Sequence, residues 1–416
     1  MPAGLLALTD TVTSGFDRGV EGVGRALRRF SGLRWWVQVL LLWVATRLFS
    51  VVVVLVVARQ QGPNPWSPSR PGYFAYIDGW DAGYYNQIFD SGYPSVLPRG
   101  ADGIVEPNRW AFYPVFPGLA RAVSAVTGLG WVHVAPLVAS LASLGLALVL
   151  YRLFLVRTSP GTALFAVGLY LVQAAAPVLG FGYAESLGLL LVASVLLCVE
   201  RGRYLTALPL VLVASLTRPT AAPLALALGL LLVVQLLTRV PRVDGARVRL
   251  LVLVVVSGLC VAIWPVAVAV GTGDPDAYLE TESGWHGGTH VLPGELWARV
   301  ARRLFGDLPG LAVVVLVVLA LVAVLLSRPG RRLGLPMWLW TGSYLLYLIG
   351  VAVPNGSSFR FALGAFPLFL AVASASAVRS SRVVLVVLGL VLQVVWVAWL
   401  WHWSGTGLFG ALEANP

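Results

Sequence analysis

Long apolar segments recur along almost the whole chain, and short polar stretches separate them. A hydrocarbon core about 30 Å thick requires roughly 20 mostly apolar residues for one helical crossing. The pattern therefore predicts an all-α polytopic membrane protein with about 11 transmembrane helices. The predicted spans are 36–58, 131–155, 162–178, 184–200, 203–217, 219–238, 250–270, 309–327, 335–353, 361–378 and 383–403. Several of them are short, which is also typical of helices buried within a bundle.

The distribution of arginine predicts the orientation of these spans. Basic residues concentrate in short cytoplasmic loops, and such clusters occur in every second loop between the predicted spans, which places all of them on one side of the membrane. The clusters are Arg152 and Arg157, Arg201 and Arg203, the stretches 239–249 and 328–332, and Arg379 and Arg382. They predict a cytoplasmic N-terminus. Residues 1–35 then form an amphipathic cytoplasmic segment on the membrane surface, residues 36–403 form one transmembrane domain, and residues 404–416 form a short tail.

The same orientation places two long loops, 59–130 and 271–308, on the extracytoplasmic side. It requires that segment 112–128, which contains two prolines and Arg121, does not cross the membrane. We expect this segment to be a short helix at the outer surface. Long loops in compact proteins are usually either functional or disordered. The many aromatic residues of the two loops favour a functional role.

Composition excludes other classes of protein. The chain of 416 residues is 58% hydrophobic and only 11% charged, whereas a soluble domain is about 25% charged. The formal net charge is +11, and all 29 basic residues counted as Lys or Arg are arginines. A high pI can indicate a nucleic-acid partner, but arginines in short loops are explained by topology, so no nucleic acid is expected. Cys198 and Cys260 lie within apolar runs and are interpreted as buried hydrophobic residues.

The first outer loop contains the main candidate for chemistry, in the segment DGWDAGYY that begins at Asp78. Its aromatic residues have helical spacing, which predicts a short interfacial helix with Trp80, Tyr84 and Tyr85 beside Asp81. A carboxylate there can act as a general base toward a hydroxyl, which is the role predicted for Asp81. The alternative is that the aspartates only cap the helix.

The same loop offers carboxylates for a metal. Asp78 and Asp81 together with Glu106 can be considered as ligands of a divalent cation. So few carboxylates make an incomplete site, and no cofactor is therefore required by the sequence.

Further polar residues stand at the predicted outer ends of spans. Glu185 follows FGYA, Arg218 lies within TRPT, Arg360 lies within PNGSSFRF, and Tyr113 lies within AFYPVFP. Ionisable groups at membrane depth are costly and usually paired or functional, which predicts substrate-binding roles. Snorkelling of the arginines to the lipid headgroups is the alternative. Arg47, deep in the first span, is expected instead to pair internally and to anchor helix packing.

These elements follow one another in a recognisable order. WD-x-x-x-Y is followed by AFYPVFP, GYAES, TRPT, TGDPDAY…W and FRF…FP, over about residues 36–403. This order resembles the bacterial relatives of the phosphatidylinositol-glycan class V mannosyltransferases, in the glycosyltransferase-C superfamily. The resemblance implies a catalytic aspartate at Asp81 and substrate-binding roles for Arg218 and Arg360. In the second loop Trp285 is followed by His286 instead of Gly-Arg, so that a histidine stands where a phosphate-binding group is expected.

The resemblance also implies a reaction. A membrane hexosyltransferase of this kind moves a sugar, mannose in the named relatives, from a polyprenyl-phosphate donor with inversion. The acceptor is a hydroxyl of a glycolipid, lipoglycan or protein on the extracytoplasmic face of the plasma membrane. No G-x-x-x-x-G-K-[ST] or G-x-S-x-G motif competes with this interpretation. A polytopic transporter or lipid flippase is the alternative, with Arg47 and Glu185 on its substrate path, and a non-catalytic scaffold is a third.

Overall fold

The computed structural model describes residues 29–238, 245–288 and 292–403, which are mostly helical and contain no named β-strand. The predicted all-α class is confirmed. The predictions for residues 1–28, 239–244 and 404–416 lie outside the described residues. The helices are α1 (Trp35–Ala58), α2 (Tyr73–Ile77), α3 (Asp81–Ser91), α4 (Val115–Thr127), α5 (Trp131–Phe154), α6 (Pro160–Val172), α7 (Glu185–Glu200), α8 (Tyr204–Ser215), α9 (Ala221–Leu237), α10 (Ala246–Thr272), α11 (Ala277–Gly284), α12 (Glu295–Phe305), α13 (Asp307–Leu326), α14 (Arg328–Arg331), α15 (Leu335–Val351), α16 (Ser357–Phe361), α17 (Pro367–Ala375) and α18 (Arg379–Val395).

Five of the described helices are long and apolar enough to cross a membrane: α1, α5, α10, α13, and α18 with its extension to Trp401. The α16–α17 region can form a sixth span, bent by 74°. The other predicted spans also contain helices, but α6, α8, α9 and α15 have only 10–17 residues and α7 has 16. The predicted number of about 11 crossings is therefore not confirmed, because these helices are shorter than the roughly 20 residues of a complete crossing.

Within the predicted span 162–178 the helix α6 already ends at Val172. Arg47 from α1 donates hydrogen bonds to buried backbone carbonyls around this end. The last carbonyl groups of a helix have no partner within it, and leaving them unpaired when buried costs free energy. The Arg47 guanidinium donates to the carbonyl of Leu171 at 3.2 Å and to that of Ala176 at 2.5 Å. The Gln393 amide donates to Leu171 at 3.2 Å. The prediction that Arg47 pairs internally is confirmed.

Replacing Arg47 should therefore destabilise the fold. We expect Arg47→Met to lower the free energy of unfolding by about 1–3 kcal/mol, the cost of an orphaned buried acceptor, because the Ala176 carbonyl loses its side-chain donor while Leu171 keeps the Gln393 amide. Thermal unfolding in detergent micelles measures this loss. Arg59→Met, at an exposed position directly after α1, is the matched control and should melt like the wild type. Equal melting temperatures for the two variants would contradict this role of Arg47.

The two long loops predicted on the outer side pack against each other at one end of the bundle. The Asn108 amide donates to the Thr281 hydroxyl at 3.3 Å. Arg99 and Glu280 form an ion pair at 2.5 Å. The described parts of both loops therefore share one end of the bundle, and the side of the membrane that this end faces stays a prediction.

The interfacial helix predicted around Asp81 is α3, and its apolar face points into the bundle. Tyr85 is buried against Phe116 of α4, and both belong to the same core cluster as Trp131 of α5. Packing on α4 and α5 holds the N-terminal end of α3 in a fixed place. Segment 112–128 contains the helix α4, as predicted, and its depth in the membrane stays a prediction.

Candidate active site

Asp81 is the first residue of α3, and a strained turn precedes it. Trp80 has a φ of 59°, a left-handed conformation that is rare for bulky residues and costs of order 1–3 kcal/mol. Its indole ring lies 4.5 Å from the ring of Trp66 and 5.6 Å from that of Trp403, between centroids. These contacts stabilise the unusual conformation. Strain that the surrounding structure maintains is typical of functional sites.

The hydroxyl of Tyr183 fixes the backbone on both sides of Trp80. It donates to the carbonyl of Gly79 at 3.1 Å and accepts from the backbone N–H of Asp81 at 3.2 Å. Tyr183 is fully buried and belongs to the FGYAES segment that leads into α7. The sequence analysis singled out only Glu185 from this segment, and so it missed the residue that positions the backbone of Asp81.

The Asp81 carboxylate belongs to a cluster of four charged side chains. Arg360 of α16 donates to Asp81 at 2.5 Å and is ion-paired with Glu185 at 3.2 Å. Glu185 is also ion-paired with Arg218 at 2.8 Å. The four formal charges sum to zero, which matters because a buried charge without a partner is strongly destabilising. Asp81 is therefore an ion-pair partner of Arg360. The N-cap position of α3 is occupied by Trp80, whose side chain makes no capping hydrogen bond.

Aromatic rings and a glycine shape the positions of the two arginines. The Arg360 guanidinium lies over the ring of Tyr183 at 5.0 Å and over that of Phe361 at 5.1 Å, and such cation–π contacts are attractive. The stem of Arg218 passes Gly188 of α7, where an added Cβ would lie 3.2 Å from the Arg218 Cδ. These contacts restrict both guanidinium groups to the neighbourhood of the carboxylates.

A cavity of about 790 Å³ opens over this cluster. Its walls come from the first outer loop, the α8–α9 turn, the second outer loop, the C-terminal half of α15, the segment that leads through α16, and Trp403. All the predicted catalytic and substrate-binding residues except Glu185 line it, namely Trp80, Asp81, Tyr84, Tyr85, Tyr113, Arg218, His286 and Arg360. Glu185 lies behind the wall, only 3% exposed, and pairs with both arginines. The structure thus brings the predicted residues to one place, and their chemical roles stay predictions.

Asp78 and Glu106 do not line the cavity with Asp81, which corrects the cation site considered from the sequence. The Asp78 carboxylate accepts a hydrogen bond from the indole N–H of Trp131 at 2.8 Å. Burial raises the pKa of this carboxyl above its ordinary value. Within residues 29–238, 245–288 and 292–403, no group of three His, Cys, Asp or Glu side chains is placed to hold a metal ion. The three carboxylates therefore do not form one site.

His286 lines the cavity without supplying a fixed positive charge. Burial lowers the pKa of its imidazole, and the positive charge of Arg299 lowers it further, so that His286 is neutral near pH 7. A neutral imidazole does not replace the permanent charge of an arginine toward phosphate. Of the two arginines in the wall, Arg218 is the more accessible, with 17% of its side chain exposed against 3% for Arg360.

The cavity wall contains a second polar group, which the sequence analysis did not identify as functional. The hydroxyls of Tyr113 and Tyr278 lie 3.1 Å apart, and Glu282 lies beside Tyr278. Burial raises the pKa of Glu282 to about 7. The spacing of Tyr278 and Glu282 places both on one face of α11. That spacing was visible in the sequence, whereas their contact with Tyr113 of the other loop was not.

No protein-family model matches the chain, and no curated protein matches it in sequence. Several solved structures are similar. ArnT from Cupriavidus metallidurans bound to undecaprenyl phosphate has a TM-score of 0.49 and 19% identity, over 84% of this chain and 62% of that chain. An oligosaccharyltransferase from Archaeoglobus fulgidus tethered to an acceptor peptide has a TM-score of 0.45 and 14% identity, over 86% of this chain and 55% of that chain. This chain thus matches less than two thirds of either length.

Proposed function

We propose that this chain is a membrane glycosyltransferase that uses a polyprenyl-phosphate sugar as donor and Asp81 as general base toward the acceptor hydroxyl. The observation that carries the proposal is the ion-paired cluster on the cavity wall. Asp81 is 24% exposed, so that a hydroxyl can reach its carboxylate. Arg218 and Arg360 belong to the same cluster. A base beside cations is the arrangement that a reaction with a hydroxyl nucleophile and a phosphate leaving group requires.

Proton transfer to Asp81 makes the cluster more positive when the leaving phosphate becomes more negative. The acceptor oxygen attacks the anomeric carbon opposite the phosphate, a new C–O bond forms, and the C–O bond to the phosphate breaks with inversion. The electron pair leaves with the phosphate, and the hydroxyl proton passes to Asp81. The formally neutral cluster then carries one net positive charge. Arg218 can bind the phosphate through charge-assisted hydrogen bonds, while Arg360 positions Asp81.

One part of the cavity wall is apolar and suits the lipid tail of such a donor. Leu348, Val351, Ala352 and Val353, at and beyond the end of α15, line it. A tail against these residues removes apolar surface from water, which is favourable. A donor held by its lipid and its phosphate needs no nucleotide-binding motif, and the sequence contains no G-x-x-x-x-G-K-[ST] motif.

The finer terms of the proposal come from the motif resemblance and the arginine topology. The resemblance supports mannose as the sugar and a glycolipid, lipoglycan or protein hydroxyl as the acceptor. The arginine distribution supports a site on the extracytoplasmic face of the plasma membrane.

The choice of donor tests the proposal. The purified protein is reconstituted in nanodiscs with a membrane lipid extract and given radiolabelled polyprenyl-phosphate-mannose or GDP-mannose. We expect label to reach an acceptor only from the lipid-linked donor, and parallel reactions with other polyprenyl-phosphate sugars identify the sugar. A transporter or flippase would leave the label on the donor. That result, or transfer from GDP-mannose alone, would contradict the proposal.

Arg218→Gln should weaken the use of the donor. We expect its KM for the donor to rise roughly 10–100-fold, because a hydrogen bond to a charged group contributes about 1.5–3 kcal/mol. Arg218→Lys keeps the charge and loses the two-pronged geometry, so it should lose less. Arg99→Gln, which breaks a surface ion pair with Glu280 and an exposed hydrogen bond to the Gly103 carbonyl, is the matched control because such exposed contacts contribute little. A donor KM that is the same in Arg218→Gln and Arg99→Gln would remove Arg218 from the phosphate site.

A further inference from the structure

The group formed by Tyr113, Tyr278 and Glu282 takes no part in the proton transfer or the phosphate binding described above. Tyr113 and Glu282 both line the cavity, and Tyr278 lies beside each of them. A hydroxyl has one donor and two acceptor positions, and a carboxylate accepts about four hydrogen bonds. Both ends of the group therefore keep unused hydrogen-bonding capacity toward the cavity.

Aromatic rings line the cavity beside this group. The ring of Tyr84 is stacked on that of Phe112 at 4.7 Å, and Trp285 meets them edge-on at 5.6 and 6.0 Å. All three residues line the cavity. The face of an aromatic ring carries partial negative charge, so that the polarised C–H groups of a sugar ring pack favourably against it.

Helix geometry connects these rings to both polar groups. Tyr84 follows Asp81 by three positions in α3, and residues three apart are neighbours on a helix surface. Trp285 follows Glu282 by three positions at the end of α11. Since Tyr84 and Trp285 touch, an aromatic surface runs from the proposed base to the carboxylate of the second outer loop.

We propose that Tyr113, Glu282 and the Tyr84–Trp285 aromatic surface form the acceptor subsite, and that the acceptor presents a neutral sugar or polyol. This inference rests on the proposed glycosyltransferase function. A sugar ring offers adjacent hydroxyls for the Glu282 carboxylate and the Tyr113 hydroxyl, and C–H faces for the rings. A serine or threonine side chain offers one hydroxyl and no ring face. An acceptor with a phosphate at this end would be repelled by ionised Glu282.

The ionisation of Glu282 should control how tightly the acceptor binds. Tyr278 from its own helix, Tyr113 from the first outer loop and Tyr347 from α15 face it. Burial raises the pKa values of Tyr113 and Tyr278, so that both are neutral near pH 7. The pKa of Glu282 is itself raised to about 7 by burial. A carboxylate binds hydroxyl donors more strongly than the neutral acid does, so acceptor affinity should rise with pH through this region.

Binding without donor tests the subsite. The protein in nanodiscs is titrated calorimetrically with mannobiose as the neutral disaccharide probe and with a tetrapeptide that contains Ser and Thr. We expect the disaccharide to bind and the peptide not to bind. Glu282→Gln and Tyr113→Phe should each weaken disaccharide binding about tenfold. Glu280→Gln, on the same helix but paired with Arg99 at the surface, is the matched control and should bind like the wild type.

The pH dependence separates a binding role of Glu282 from a structural one. Disaccharide affinity should increase between about pH 6 and about pH 8 in the wild type and in Glu280→Gln, and should be flat in Glu282→Gln. Equal affinity in the wild type and Glu282→Gln, or binding of the peptide in place of the disaccharide, would overturn the subsite. Because no turnover is measured, Glu282-dependent binding without any sugar transfer would keep the subsite and overturn the proposed function.

Discussion

Asp81→Asn is expected to lower the rate of sugar transfer by roughly 10²–10⁴-fold, the usual contribution of a general base. Asparagine keeps the shape of the side chain and can still accept a hydrogen bond from Arg360, but it cannot take up the hydroxyl proton. The protein should remain folded, because Glu185 continues to pair with both arginines. The initial rate at saturating polyprenyl-phosphate-mannose measures the loss.

Asp78→Asn is the matched control for this variant. Asp78 lies three positions before Asp81, yet its carboxylate bonds to the indole of Trp131 and does not line the cavity. We expect its transfer rate to stay within a fewfold of the wild type. A near-normal rate in Asp81→Asn, with substrate at saturation, would remove the role of Asp81 as base.

Glu185→Gln is expected to destabilise the protein by roughly 3–5 kcal/mol, as the loss of one partner from a buried ion pair does. The substitution leaves Arg218 and Arg360 close together with only Asp81 to compensate them. Unfolding of the purified protein in mixed micelles, followed by circular dichroism, measures the change. Transfer should fall as well, because Arg360 would no longer be held in one place beside Asp81.

A compensating substitution separates the charge effect from simple misfolding. Glu185→Gln combined with Arg218→Met leaves Asp81 and Arg360 as one neutral pair. This double variant should recover much of the lost stability while remaining poor in donor binding. If it is no more stable than Glu185→Gln alone, the buried charges are not what stabilises this region.

The positions of the helices could be predicted from the sequence, and their lengths could not. Every predicted span contains a helix because long apolar runs are stable in lipid only when their backbone groups pair internally. The end of α6 at Val172 depends on a partner that is distant in the chain, since Arg47 donates to the Leu171 carbonyl just before this end and to the Ala176 carbonyl beyond it. Local patterns do not contain such partners, so the lengths of the helices, and with them the predicted number of crossings, are not confirmed.

The candidate site was predictable as a set of residues and not as a network. Asp81, Arg218 and Arg360 carried signals because charged residues beside apolar runs are unusual. Arg360 and Asp81 are 279 positions apart in the chain, and no periodicity indicates that they pair. Long-range packing also makes Glu185 the shared partner of two arginines. It likewise brings the hydroxyl of Tyr183 to the strained turn before Asp81.

The reconstituted transfer reaction, with the anomeric configuration of the product determined by NMR, tests the central claim most directly. We predict that the wild type moves the sugar from polyprenyl-phosphate-mannose to a hydroxyl acceptor with inversion and releases polyprenyl phosphate. Asp78→Asn should do the same, and Asp81→Asn should not. Transfer with retained configuration, or equal rates in Asp81→Asn and Asp78→Asn, would contradict the assignment of Asp81 as the base.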